Sequence, residues 1–288
     1  MTHAQLKTVQ CLSPAGLHRM AYKQWGDPQN PNVLVCVHGL SRVSDDFDVL
    51  ARNLSDTYRV VCPDVVGRGR SDWLRDSRYY VVPQYVSDMV TLLARLEAET
   101  VDWFGTSMGG LIGMGLASLP ESPVRKLLLN DVGPSLNPAA IARIGDYLGK
   151  PVRFGTFDEA AHYVKAISQT FGPHTDEEWR KLAGDVLRQD QDGQWILHYD
   201  AGLAIPFKAA TPESVQRDAA LLAATYDAIT CETMVVRGAE SDLLTREVAQ
   251  SMTTRGPKAT LVEIAGVGHA PTFTHADQIA IAKDFFIG

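Results

Sequence analysis

A chain of 288 residues, 45% hydrophobic and 21% charged, has enough apolar material for one large domain core. Its formal net charge of −7, with no Lys/Arg block, withholds the positive footprint that a nucleic-acid partner would need. No apolar run approaches the ~18 residues of a membrane span, and the opening MTHAQLKTVQ lacks a charged-then-apolar leader pattern, so a cytoplasmic protein without a membrane partner is expected.

Strand signals begin at VLVCVH (33–38), a continuous β-branched run of the kind buried on both faces of a sheet. YRVVCPD (58–64) and VDWF (101–104) read the same way. Between them Val86, Met89, Val90, Leu93 and Leu96 fall at helical spacing. VRKLLLND (124–131) is a further strand. Strands alternating with helices predict an α/β class, a mostly parallel central sheet flanked by helices. After residue 133 the rhythm changes to helix starts without a buried strand. Asn137-Pro138 and Thr211-Pro212 pair a capping residue with proline, and Thr156 with Glu159 and Thr175 with Glu178 fit capping boxes. The helix after Thr175 would present Trp179, Leu182, Ala183 and Val186 on one face. TMVVRG (233–238) and ATLVEIAG (259–266) resume the strands, with helices near 245–255 and 275–286. The organisation predicted is a core of 1–133 and 226–288, with a helical lid of 134–225 inserted between two late strands.

Gly105-Thr106-Ser107-Met108-Gly109 matches G-x-S-x-G between the strand VDWF and a helix candidate, MGGLIGMGLASL. A sharp strand-to-helix turn needs small neighbours and would raise the serine hydroxyl above the sheet. Gly109, Gly110 and Gly113 would let the helix approach the strands. Motif and order resemble the α/β-hydrolase fold family, in particular its lid-bearing serine hydrolases, from about residue 17 onward. There the elbow serine is followed by an acid and then a histidine.

The resemblance implies Ser107 as nucleophile and His269, in AGVGHAPTF after the last strand, as base. It implies His38, in VCVHGL, as a shaper of the oxyanion loop. Asp242, in VVRGAESDLLT, is the favoured acid; Asp131, at the end of KLLLND, is its rival. Backbone N–H groups of Leu40 and Met108 would form the oxyanion hole. Serine at the elbow, where epoxide hydrolases and dehalogenases of the family carry Asp, implies acyl transfer on a small-molecule ester or thioester. Hydrolysis of small or medium acyl esters through an acyl-enzyme is the expected activity. The alternatives are a thioesterase, an acyltransferase, a carbon–carbon bond hydrolase, or a hydrolase-like binding protein with little turnover. Cys11, Cys36, Cys62 and Cys231 show no C-x-x-C spacing and no nucleotide-binding fingerprint occurs, so neither a metal nor a cofactor is expected. The oligomeric state is left open.

Overall fold

The computed structural model describes residues 3–209 and 211–288. An antiparallel hairpin of β1 (Gln5–Ser13) and β2 (Gly16–Trp25) opens the chain, followed by β3 (Val33–Val37), α1 (Asp48–Leu54), β4 (Arg59–Pro63), α2 (Val82–Leu96), β5 (Val101–Thr106), α3 (Met108–Ala117) and β6 (Val124–Asn130). The insertion holds α4 (Pro138–Tyr147), α5 (Phe157–Ile167), α6 (Asp176–Asp185), a small hairpin of β7 (Leu187–Gln189) and β8 (Trp195–Leu197), α7 (Ala204–Lys208) and α8 (Pro212–Asp227). The core then resumes with β9 (Glu232–Gly238), α9 (Arg246–Ser251), β10 (Thr260–Ile264) and α10 (Ala276–Ile287).

Eight strands form one sheet in the order β1-β2-β4-β3-β5-β6-β9-β10, antiparallel at β1/β2 and β2/β4 and parallel elsewhere. The run of buried residues in β3 is explained by its two covered faces. Val33, Val35 and Val37 point into the layer that holds α2 and α3, while Leu34 and Cys36 point into the layer of α1 and α10. The chain reverses its direction of travel across the sheet between β3 and β5. A parallel sheet binds ligands beyond the carboxyl ends of its strands at such a reversal. The loops after β3 and β5, carrying Leu40 and Ser107, are therefore where a site is expected from topology alone.

All four predicted caps form as written in the sequence, Thr211 accepting from the Ser214 N–H ahead of Pro212. Asn137 accepts from the Ala139 N–H, and both Thr156/Glu159 and Thr175/Glu178 make reciprocal capping boxes. The elements not foreseen are the hairpin of β1 and β2, the short helices α1 and α7, and the β7/β8 pair within the lid. β1 alternates exposed and buried positions, leaving Leu6 and Leu12 in solvent, so it lacks the continuous apolar signal of a central strand.

The lid docks on the core through α6. Arg42 donates to the Leu182 carbonyl at 3.0 Å and Lys181 to the Asp45 carbonyl at 3.3 Å. Beside this contact Asp185 is mostly buried, and burial together with the neighbouring Asp46 carboxylate pushes its carboxyl up from 3.8 to about 6, despite Lys181 at 2.7 Å. A carboxyl whose pKa is raised on folding favours the native state while it stays protonated. That contribution is complete below its ordinary value of 3.8 and is lost as pH rises through about 6. Asp185→Asn, which cannot ionise, is therefore expected to change stability little near pH 3.5 and to raise it by on the order of 1–3 kcal/mol near pH 8. Denaturant unfolding at the two pH values measures this, and an equal change at both would contradict it.

Candidate active site

Ser107 sits at the junction of β5 and α3 with φ 51° and ψ −113°, a conformation that L-residues rarely adopt. Its N–H donates to the Asn130 carbonyl at 2.9 Å, which ties the turn to the end of β6. The flanking glycines are steric necessities: a Cβ at Gly109 would collide with the Val37 carbonyl, and one at Gly105 with the backbone of Gly109. At Gly39, by contrast, an added Cβ would make an ordinary 3.8 Å contact with the Ser107 Cβ. The loop after β3 does lie against the nucleophile, but closeness alone does not require glycine there.

His269, on the loop between β10 and α10, places Nε2 at 3.0 Å from the Ser107 hydroxyl oxygen. Its Nδ1 lies 2.7 Å from Oδ2 of Asp131. An Nδ1–H donated to that carboxylate leaves Nε2 free to accept the serine proton, the tautomer a general base requires. Three side chains from the ends of β5, β6 and β10 thus form one relay.

The acid is Asp131 and not Asp242, the residue the sequence favoured. Asp242 is engaged elsewhere: its two carboxylate oxygens receive Nε and Nη2 of Arg143 at 2.8 and 2.9 Å, on a partly exposed surface. Asp131 is fully buried, at 0% exposure. It accepts from the Gly238 N–H at 2.9 Å and the Ser241 hydroxyl at 2.5 Å as well as from His269. β6 and β9 are neighbours in the sheet, so both loops end beside the histidine, and spacing along the chain does not choose between them.

His38 is excluded as a base by its surroundings. It is fully buried, with Nδ1 2.7 Å from the Gly39 carbonyl and Nε2 accepting from the Val65 N–H at 2.9 Å. Burial pushes its pKa down to about 4, so the ring stays neutral and braces the loop after β3. The backbone N–H groups of Leu40 and Met108 have no hydrogen-bond partner among the described residues. Three contributors escaped the sequence reading. The Asn130 side-chain amide donates to the Pro271 carbonyl at 2.8 Å, and Ser241 holds the acid. Thr170 of the lid donates its hydroxyl to the His269 carbonyl at 2.5 Å and accepts from the Gly268 N–H at 2.7 Å.

Ser107 and His269 face a small cavity of about 90 Å³. Its lid-side wall comes from Arg143, Ile144, Tyr147, Phe171 and Leu182, and its core-side wall includes Leu40 and Arg42. Of the lid aromatics, Tyr147 and Phe171 therefore reach the site. Arg42 is buried and held by Asp46 through Nε at 2.8 Å and Nη2 at 2.5 Å. A larger groove of about 420 Å³ runs between α2 and the end of α3, but its polar side chains are only Glu97, Glu99, Glu121 and Ser122, with no histidine to activate the hydroxyl. Cys11, His18 and Asp88 bring a thiol, an imidazole and a carboxylate within 4.8 Å of one another, and none of them lines the catalytic cavity. His18 donates or accepts at 3.0 Å with Asp88, whose other oxygen takes the Gln84 amide at 2.8 Å, so the cluster is already hydrogen-bonded within itself.

Comparison with known proteins agrees with this geometry. The sequence profile of the Alpha/beta hydrolase family matches residues 34–282. A "3-hydroxybutyrate-oligomer hydrolase" of Cupriavidus necator is 61% identical over 287 residues, covering 99% of this chain and 98% of that protein. A "Pimeloyl-[acyl-carrier protein] methyl ester esterase" of Pectobacterium atrosepticum is 24% identical, over 85% of this chain and 89% of the relative. Among solved structures, an alpha/beta hydrolase from Novosphingobium aromaticivorans superposes with a TM-score of 0.84 at 32% identity, covering 100% of this chain and 99% of the other.

The two candidate acids are separable in solution. Asp131→Asn should lower kcat on a p-nitrophenyl ester by roughly 10³–10⁴, by removing the acceptor that fixes the base. Asp242→Asn should lower it less than about tenfold. Steady-state rates of both variants, with folding checked by circular dichroism, decide the assignment.

Proposed function

The chain belongs to the alpha/beta hydrolase family and is a serine hydrolase of ester bonds, and we propose that its substrates are short linear oligoesters of 3-hydroxybutyrate. The observation that carries the substrate class is the 61% identity, over nearly the full length of both proteins, to the Cupriavidus necator relative named for that activity. The small cavity is in keeping with it. At about 90 Å³ it lies well under the ~300 Å³ at which pockets for drug-sized ligands begin, so it suits a short acyl unit. Residues 134–225 act as its lid. The four cysteines are free, which supports a cytoplasmic setting.

In this reading His269 takes the Ser107 proton as the hydroxyl oxygen attacks the ester carbonyl. Asp131 stabilises the imidazolium that results. The oxyanion is received by the N–H groups of Leu40 and Met108, and preorganised donors of that kind contribute about 3–4 kcal/mol each to the transition state. The proton on His269 then passes to the departing alkoxide, which leaves as the free hydroxyl of the released hydroxy acid. Water, deprotonated by the same imidazole, attacks the acyl-Ser107 ester. Its collapse releases the acyl half as a free acid and returns the proton to the serine.

The purified protein should convert the 3-hydroxybutyrate dimer and trimer to monomer, followed by chromatography of the acids. Ser107→Ala should reduce the rate by at least about 10³, and a fluorophosphonate probe should label residue 107 in the unmodified protein. Turnover of p-nitrophenyl butyrate with the dimer left intact would refute the substrate assignment while leaving the triad standing.

A further inference from the structure

An ester of a hydroxy acid differs from an ordinary ester in ending with a free carboxylate. On the oligoester reading, every natural substrate carries one negative charge into the site. The protein itself has a net charge of −7 and repels anions at long range. Recognition of such a substrate therefore calls for a local cation at a fixed place in the pocket.

Two arginines line the cavity. Arg42 is already committed: Asp46 takes its Nε and Nη2, the Leu182 carbonyl also receives Nη2, and the guanidinium carbon lies 5.7 Å from the centre of the Phe171 ring. Asp46 shares the cavity wall, so this pair presents no net charge to a ligand. Arg143 differs on each count. Its partner Asp242 is not part of the cavity lining, and its Nη1 has no partner among the described residues. The pair is partly exposed, at 38% and 40%, a setting in which ion pairs are weak and exchangeable. One helical turn further along α4, Tyr147 lines the same cavity, and its hydroxyl has no hydrogen-bond partner among the described residues. Residues four apart on a helix share a face. A guanidinium edge and a phenol hydroxyl thus stand one helical turn apart in the lining of the cavity that Ser107 and His269 also line. Burial raises the pKa of the Tyr147 hydroxyl, which keeps it a donor.

We infer that Arg143 and Tyr147 form a subsite for the terminal carboxylate of the substrate, and so determine specificity for free hydroxy-acid oligomers over neutral esters. In a dimer the carboxylate belongs to the alcohol half, a few bonds from the scissile carbonyl. Arg143 therefore marks the leaving-group side of the site, and the bond cut is the one nearest the carboxyl end. The inference rests on the oligoester reading above, and it assigns the residue that reads the substrate's charge.

The test compares the 3-hydroxybutyrate dimer with its methyl ester, which differs only in lacking the charge. The unmodified protein should show a KM for the acid about 10- to 100-fold below that for the ester. Arg143→Gln should raise KM for the acid until the ratio approaches one, with kcat far less affected. Arg143→Lys should restore only part of the preference, because an ammonium cannot reproduce the fork. Tyr147→Phe, which removes only the hydroxyl, should raise KM for the acid several-fold. If the unmodified protein cleaves both compounds with equal KM, or if Arg143→Gln leaves the acid-to-ester ratio unchanged, the carboxylate subsite is refuted and the oligoester reading survives. If neither compound is cleaved while p-nitrophenyl butyrate is, the oligoester reading fails and takes this inference with it.

Discussion

A carboxylate with no contact with water anchors the site. Burying an ion is costly unless donors replace its hydration, and Asp131 receives three: the Gly238 N–H, the Ser241 hydroxyl and the His269 Nδ1–H. Those donors come from the last residue of β9 and the loops after β9 and β10, so satisfying one charge draws three strand ends together. Ser241 is itself fixed, since its oxygen accepts from the N–H groups of Leu243 and Leu244 at 3.3 and 3.2 Å. Arg237 holds the same loop from beneath, donating to the carbonyls of Leu244 and Ser241. Asp131 also takes a left-handed φ of 56°, which Asp tolerates better than most residues. The base is therefore oriented by a structure that would be unfavourable without it.

The nucleophile is placed by the opposite means, by the absence of side chains. α3 approaches the sheet closely enough that a Cβ at Gly113 would lie 2.5 Å from the Trp103 ring nitrogen. That proximity lets the Trp103 indole donate to the Gly109 carbonyl at 3.0 Å. The strained serine is then held between a strand and a helix that cannot separate without exposing both. Asn130 links the two halves of the site: its carbonyl accepts from Ser107 and its side-chain amide reaches the loop of His269. Strain at Ser107 and charge at Asp131 are thus balanced against the same strand end.

The sequence disclosed the parts whose signal is local. The core strands announced themselves by continuous apolar runs, the helices of the lid by their caps, and Ser107 by a motif set between a strand and a helix. His269 followed from its place after the last strand and from the resemblance. The acid was not legible, and the reason is geometric. Adjacent parallel strands end side by side, as the register of Asn130 with Val236 shows, so an acid after either β6 or β9 can meet the same imidazole. The discriminating facts are the burial of Asp131 and the partner of Asp242, and neither is a property of the chain near those residues. Arg143, the partner that removes Asp242 from consideration, lies 99 residues away. The hairpin of β1 and β2 was missed for a different reason, its half-exposed strands resembling ordinary surface chain.

The lid is bound into the catalytic machinery as well as into the pocket. The segment between α5 and α6 touches the histidine loop at three points: Thr170 bonds both sides of the His269 peptide region, and His174 Nε2 lies 3.0 Å from the Thr272 hydroxyl oxygen. Thr170 and Phe171 also line the cavity. Any lid movement that carried Thr170 outward would withdraw two hydrogen bonds from the loop that presents the base. A cavity of about 90 Å³ walled by lid residues must nevertheless open for an ester substrate larger than it to enter. α4 is tied to the core at its N-terminal end, by Asn137 to the carbonyls of Asp242 and Leu243 and by the partly exposed Arg143–Asp242 pair, while the bonds that hold the histidine loop come from Thr170 and His174. On the subsite proposal, a substrate entering past α4 would meet Arg143, whose Nη1 has no partner among the described residues, without withdrawing the bonds that hold the base, so access and selectivity would converge on the same helix.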